Sequence, residues 1–203
     1  MKKENLRAIV TLTVITLVAG ILLGFIYEPT KEPIAAQELL QKQEAYRQVF
    51  AQADSFEDYA DFDEEEAAKL LSDAGFAYDS ISEASVAYDA SGEVLGYVFT
   101  VISMEGYGGE IDVAMGITKE GVLNGIEILS IGETAGLGMK ADTPEFKEQF
   151  KDKQVSQFSY TKSGASQEYE IDALSGATIT TNAMTNAVNA GLIYFQNITG
   201  GGN

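Results

Sequence analysis

The chain has 203 residues, 45% of them hydrophobic, which fits one domain with a real core plus a short additional segment. It has no Cys, His or Trp. This excludes disulfides, iron–sulfur clusters, c-type haem and a lipoprotein cysteine, together with most zinc sites and the commonest general base. The formal net charge of −18 disfavours nucleic acid and anionic lipid as partners and is typical of a solvated acidic surface.

The N-terminal segment is basic and then apolar. Lys2, Lys3 and Arg7 precede an uncharged run, residues 8–27. As a helix, about 20 residues rise roughly 30 Å, enough to cross the hydrocarbon core. A cleaved signal peptide is the alternative, but its apolar region is usually about 7–15 residues long and ends in a small-residue cleavage site, which is missing here. We therefore predict an uncleaved transmembrane helix, with residues 1–7 cytoplasmic and the rest of the chain outside.

The segment that follows, residues 28–80, is predicted to be helical, acidic and close to the membrane. Apolar spacing over 33–53 indicates a helix that leaves the membrane. Asp54–Glu66 contains eight acidic and no basic residues, which is typical of a solvated loop or helix face. We reject a calcium loop there because the central Gly is missing. Residues 64–75 then indicate a short helix that ends at a glycine.

From Ser85 the hydrophobic pattern changes to a period of two, which is typical of strands. A hairpin with a Gly-containing turn is predicted over Val86–Val101, and a second strand pair joins Ile111–Ile117 to Val122–Leu129. Helices bracket this antiparallel meander. The sequence therefore predicts an α+β domain in which the sheet packs against helices.

Two glycine-rich loops accompany the predicted sheet. Gly106-Tyr107-Gly108-Gly109 joins two strands, and Glu133-Thr134-Ala135-Gly136-Leu137-Gly138 follows the last one. Neither has the spacing of a dinucleotide fingerprint or a P-loop, so each taken alone is interpreted as a turn. After them a helix is predicted to start near Pro144, and Tyr169–Ile171 is predicted to be a strand that leads to Asp172.

The last motif is Asp172-Ala173-Leu174-Ser175-Gly176-Ala177-Thr178, directly before an amphipathic helix. Thr178, Thr180 and Thr181 are predicted to lie at or near the N-terminus of this helix. Unpaired N–H groups and the positive end of the helix dipole favour an anion there. Two interpretations remain open: ordinary helix-capping threonines, or a phosphate group attached to one of the hydroxyls.

The sequence Ser175-Gly176-Ala177-Thr178 preceded by Asp172 resembles the flavinylation motif of the FMN-binding domain family, in which FMN is joined by a phosphoester to the final Thr. The resemblance includes both glycine-rich loops, although Ala135 stands where the family usually has Pro. With the N-terminal segment, most of the chain is similar to the G-subunit family of Rnf-type ion-translocating electron-transport complexes. That family is related to the C-subunit family of the Na⁺-translocating NADH:quinone reductase.

The resemblance implies that residues 81–203 form an FMN-binding domain carrying covalent FMN on Thr178. It also implies that Asp172 serves recognition or metal positioning during attachment. Further residues of the cofactor site, on the same basis, are Ser175, Gly176, Ala177, Glu133, Thr134, Leu137 and Gly138. The implied partners are a flavin transferase, the membrane and the other subunits of an Rnf-like complex.

The resemblance favours an electron-transfer subunit of a membrane-bound ion-translocating redox complex. Two alternatives stay open: a membrane-anchored flavinylated shuttle outside any ion pump, and a non-redox extracytoplasmic binding module. One apolar helix without an ionisable residue provides no ion pathway. Ion translocation would therefore belong to partner subunits.

Overall fold

The structure is a computed structural model, and it describes residues 3–200. Residues 1–2 of the predicted cytoplasmic N-terminus and 201–203 of the predicted FMN-binding domain lie outside the described residues. The helices are α1 (Lys3–Val49), α2 (Glu64–Asp73), α3 (Pro144–Lys147) and α4 (Thr178–Ile198). The strands are β1 (Ser55–Asp58), β2 (Asp79–Tyr88), β3 (Val94–Gly106), β4 (Gly109–Thr118), β5 (Leu123–Ile131), β6 (Ser159–Thr161) and β7 (Glu170–Asp172).

The chain divides into two compact units, Met1–Gln41 and Lys42–Asn203. In the first unit, the helix is long and apolar enough to cross a membrane by length and composition, and its apolar side chains are exposed. The helix continues through Pro29 and Pro33, whereas the sequence pattern separated the membrane run from the helix that follows it.

The second unit is built on one antiparallel sheet with the strand order β1-β2-β3-β4-β5. The predicted meander is therefore confirmed, and two of its turns contain a glycine with positive φ, Gly92 at 81° and Gly121 at 84°. Such a backbone conformation strains other residues, so these glycines fix where the strands reverse. β6 and β7 form a separate pair of parallel strands.

Helices cover both faces of the sheet, since successive side chains point to opposite faces and consecutive residues of the central strands are buried. One face packs on α4 and α2, and a methyl group at Gly191 of α4 would overlap Met115, so the glycine allows close approach. The other face packs on the last turns of α1. The first core contains, among others, Ile81, Val101, Met184, Val188 and Leu192. The predicted α+β class, a sheet packed against helices, is confirmed.

Two strands lie where the sequence did not indicate them. β1 falls inside the acidic stretch that was predicted to be a loop or a helix face, and it pairs with β2 at the edge of the sheet. β6 starts just before the polar stretch 161–167 and pairs with β7. The second compact unit starts at Lys42, whereas the predicted FMN-binding domain starts at residue 81.

Candidate functional site

The turn before α4 is held by Thr181. Its hydroxyl accepts a hydrogen bond from the Leu174 N–H (3.0 Å) and donates one to the Ala177 carbonyl (2.9 Å). Gly176 has a φ of 79°, a left-handed conformation that favours glycine. One threonine of the first helical turn therefore has a structural role, and it is not the one that ends the motif.

Thr178 is the first residue of α4, and the N-cap position belongs to Ala177, whose side chain cannot cap. The interpretation of Thr178 as an ordinary capping threonine is therefore wrong. Thr180 and Thr181 are buried, while Thr178 is half-buried. Among residues 3–200, no hydrogen bond involves the Thr178 hydroxyl or the N–H groups of residues 178–180. The site thus combines a reachable hydroxyl with free backbone donors.

The loop 133–138 lies against the start of α4. A methyl group at Gly138 would lie 2.5 Å from Glu133 Oε2 and 2.6 Å from Thr180 Oγ1, so these three residues are in close contact. A methyl group at Gly176 would lie 3.3 Å from Leu137 Cδ2. The structure therefore brings the predicted residues Glu133, Leu137 and Gly138 to the Ser-Gly-Ala-Thr turn.

Glu133 also joins the first glycine-rich loop to this site. Its carboxylate is buried, and Oε1 accepts a hydrogen bond from the Tyr107 N–H at 2.8 Å. Thr134, in contrast, is exposed, and its carbonyl accepts hydrogen bonds from the N–H groups of Leu137 (3.1 Å) and Met139 (3.2 Å). Thr134 therefore shapes the loop through its backbone.

Asp172 is hydrogen-bonded to residues outside the Ser-Gly-Ala-Thr turn. Its exposed carboxylate accepts a hydrogen bond from the Ala165 N–H at 2.7 Å, which ties β7 to the preceding loop. Its own N–H donates to Gln149 Oε1 at 2.6 Å, a contact that no pattern in the sequence indicated. The part of the chain that the structure describes gives no contact between this carboxylate and Thr178. A role for Asp172 in recognition or metal positioning stays a prediction.

The surface around the turn offers both polar and apolar groups. Ser175 is exposed and lines an open cleft together with Lys140, Thr143 and Gln149. Large apolar side chains are also exposed near the start of α4. They are Tyr107, Leu137 and Ile179. The arrangement can accept an anion at the helix end and a flat apolar group beside it.

Comparisons with known proteins agree with this arrangement. A family model described as "FMN-binding domain" matches residues 106–193, and one described as "RnfG N-terminal region" matches residues 1–49. A crystal structure of NqrC from Shewanella oneidensis shares the fold, with a TM-score of 0.50 and 20% identity over 60% of each chain. The chain thus contains an FMN-binding domain behind an N-terminal region of the RnfG type.

Individual relatives define the family more closely. The G subunit of an ion-translocating oxidoreductase complex from Methanosarcina acetivorans is 33% identical over 197 residues, 95% of each chain. The G subunit of a proton-translocating ferredoxin:NAD(+) oxidoreductase complex from Clostridium ljungdahlii is 29% identical over 94% of this chain and 91% of its own. The chain belongs to the family of G subunits of ion-translocating oxidoreductase complexes.

Proposed function

We propose that this chain is an electron-transfer subunit of a membrane-bound ion-translocating redox complex, and that it carries FMN covalently on Thr178. The observation that carries the proposal concerns Thr178, a half-buried residue at the helix N-terminus whose hydroxyl makes no hydrogen bond within residues 3–200. Bound FMN would supply transfer of one or two electrons. The relatives are named as G subunits of such complexes, which supports partner subunits for this chain.

The residues of the site fit this cofactor. The free N–H groups of the first turn of α4 would face the phosphodiester, whose charge the helix dipole favours by about 0.3–1 kcal/mol. Gly176 and Ala177 leave the hydroxyl free of bulky neighbours. The exposed side chains of Leu137, Ile179 and Tyr107 offer apolar surface to the ring system. Glu133 holds the two loops together by its bond to the Tyr107 N–H.

Attachment requires a flavin transferase and an activated donor, which we take to be flavin adenine dinucleotide. The Thr178 oxygen forms a bond to the phosphorus on the flavin side, and the phosphoanhydride bond breaks. AMP leaves with the electron pair of that bond, and the hydroxyl proton passes to solvent. The protein gains the mass of one FMN less one water.

The proposed topology follows the charge of the chain. Basic residues before the apolar helix favour a cytoplasmic N-terminus, which leaves the domain on the extracytoplasmic side. Free FMN is scarce outside a cell, and a cofactor held only by mass action would be lost by dilution. A covalent bond prevents that loss. Protease added to spheroplasts should therefore digest the domain, whereas a domain protected until the cytoplasmic membrane is lysed would contradict the topology.

The decisive experiment is the intact mass of the full chain expressed with its flavin transferase. We expect the added mass and in-gel flavin fluorescence in the native chain and in Thr178→Ser, and neither in Thr178→Val, which keeps the shape but lacks the hydroxyl. Thr185→Val, further along the same helix, is the matched control and should keep the flavin. An unmodified native chain, or a flavin that persists in Thr178→Val, would refute the attachment.

Membership in a complex is tested separately. The flavinylated chain should co-purify with polytopic membrane subunits under mild detergent, and the Thr178→Val variant should still do so because its surface is otherwise unchanged. A flavinylated chain that purifies without such subunits would instead identify a membrane-anchored shuttle.

A further inference from the structure

A second site lies at the end of the sheet where β2 begins. Asp79, the first residue of β2, is only 5% exposed, and both of its carboxylate oxygens are buried without a hydrogen-bond partner among residues 3–200. A buried carboxylate that is ionised and unpaired is strongly disfavoured. Such a group either takes up a proton or receives a cation.

The neighbours of Asp79 provide no positive charge. Ser103 lies opposite Asp79 on β3 and is fully buried, and Glu105 follows two residues later on the same face of that strand. Asn186 of α4 donates a hydrogen bond to Glu105 Oε2 at 2.5 Å. Two acidic groups therefore share this end of the sheet, next to a neutral amide.

The helices near Asp79 leave its charge uncompensated. α4 contains no acidic or basic residue. α2 carries Lys69 and Asp73 in its last two turns, and both are exposed to solvent. Within residues 3–200 neither Asp79 nor Glu105 forms an ion pair. Burial raises the pKa of Asp79 to about 6; the nearby Ser103 hydroxyl opposes this rise and the charge of Glu105 adds to it.

This pair lies close to the proposed flavin site along two elements. Asn186 is two turns of α4 from Thr178, which is about 12 Å along the helix axis. Glu105 is two residues before Tyr107, whose N–H is bonded to Glu133. Charge at the carboxyl pair and charge at the start of α4 would therefore act on each other through the protein.

We propose that the buried Asp79, with the half-buried Glu105 near it, forms a proton-binding site, which takes up one proton from solvent when an electron enters the domain. The proton bonds to a carboxylate oxygen, and it returns to solvent when the electron leaves for the next carrier. Because the proton offsets the charge of the electron, the net charge of the domain is the same in the oxidised and the reduced state. The proton-binding site stands on the structure alone, whereas its link to electron entry rests on the proposed function.

The proton-binding site is tested on the full chain in detergent, expressed without flavin transferase. Infrared difference spectra recorded across pH should contain a carboxyl C=O band that titrates near pH 6. The band should disappear in Asp79→Asn, titrate at lower pH in Glu105→Gln and remain in the exposed control Asp73→Asn. A band that persists in Asp79→Asn, or a midpoint that falls when NaCl or CaCl₂ is added at constant ionic strength, would overturn the proposal. The second result would identify a cation site.

The link to electron transfer is tested on the flavinylated chain. Its midpoint potential should depend more steeply on pH above about pH 6 than that of Asp79→Asn, and Asp73→Asn should match the native chain. Equal pH dependence in the native chain and in Asp79→Asn would refute the link. Absence of flavin would refute the proposed function instead, and the infrared titration would still decide the proton-binding site.

Discussion

Replacing Gly138 by Ala should disrupt the contact between the second glycine-rich loop and α4. The added methyl group would lie 2.5 Å from Glu133 Oε2, 2.6 Å from Thr180 Oγ1 and 2.8 Å from Glu133 Cβ. All three distances are shorter than van der Waals contact. Glu133 and Thr180 are 8% and 1% exposed, so neither can move freely into solvent.

The expected cost has two parts. Overpacking a filled site costs about 1–3 kcal/mol. If the Glu133 carboxylate is displaced, its hydrogen bond to the Tyr107 N–H is also lost, and a hydrogen bond to a charged group contributes about 1.5–3 kcal/mol. Part of the strain relaxes when that bond breaks. We therefore expect the free energy of unfolding to fall by about 2–4 kcal/mol.

Gly132→Ala is the matched control, because a methyl group there meets only Gly108 O, at 3.4 Å, an ordinary contact. Urea unfolding of the full chain should be followed by circular dichroism, since the chain has no Trp. Flavin attachment should also fall in Gly138→Ala, because Thr180 and Thr178 share one helical turn. If the two variants unfold at the same urea concentration, the close packing of Gly138 against Glu133 and Thr180 is wrong.

Three further predictions test other parts of the structure. Burial raises the pKa of Asp79 from 3.8 in the unfolded chain to about 6 in the folded chain. The protonated Asp79 side chain therefore contributes fully to stability below pH 3.8, and this contribution is lost as the pH rises through 6. Asp79→Asn should therefore raise the free energy of unfolding at pH 8 by up to about 3 kcal/mol and leave it nearly unchanged at pH 3.5, as measured by urea unfolding. Tyr46→Phe removes the hydrogen bond between the Tyr46 and Thr100 hydroxyls (2.9 Å) and should cost about 1 kcal/mol in the same assay. Without flavin, the free energy of unfolding should be about 0.3–1 kcal/mol higher for Ile179→Glu than for Ile179→Gln, because a negative charge in the first turn of α4 stabilises the helix. With a phosphodiester on Thr178 the order should reverse, and an unchanged order would argue against a phosphate there.

The sheet could largely be predicted from the sequence because local signals specify it. Alternating apolar residues and glycine turns such as Gly92 and Gly121 fix the strands of the meander without any knowledge of distant contacts. β1 could not be predicted in this way, because only Phe56 is apolar among its four residues. Its acidic residues are typical of an edge strand, where charge discourages pairing with another chain.

The candidate site could be predicted only in part. The Ser-Gly-Ala-Thr turn and the helix after it are local features, so the place of Gly176 and Thr178 could be predicted from the pattern, whereas the resemblance to the FMN-binding family singled out Thr178. The contact of Gly138 with Thr180, and the hydrogen bond from the Asp172 N–H to Gln149 Oε1, join residues far apart in the chain. Such contacts depend on how the loops pack, and a single sequence carries no periodic signal for them.

The electrostatics of α4 explain why a phosphodiester could be held in so acidic a chain. With 31 acidic and 13 basic residues, most of the protein surface would repel a further negative charge. α4 contains none of those acids, and the nearest upstream one, Asp172, is bonded to the Ala165 N–H. The free N–H groups of residues 178–180 therefore act on a phosphate at Thr178 without an opposing carboxylate on the same helix, and the nearby Glu133 carboxylate accepts a hydrogen bond from the Tyr107 N–H. In the described part of the chain, Thr178 has the one threonine hydroxyl in the first turn of α4 that is both reachable and free of a structural role, because Thr180 is buried and Thr181 holds the turn.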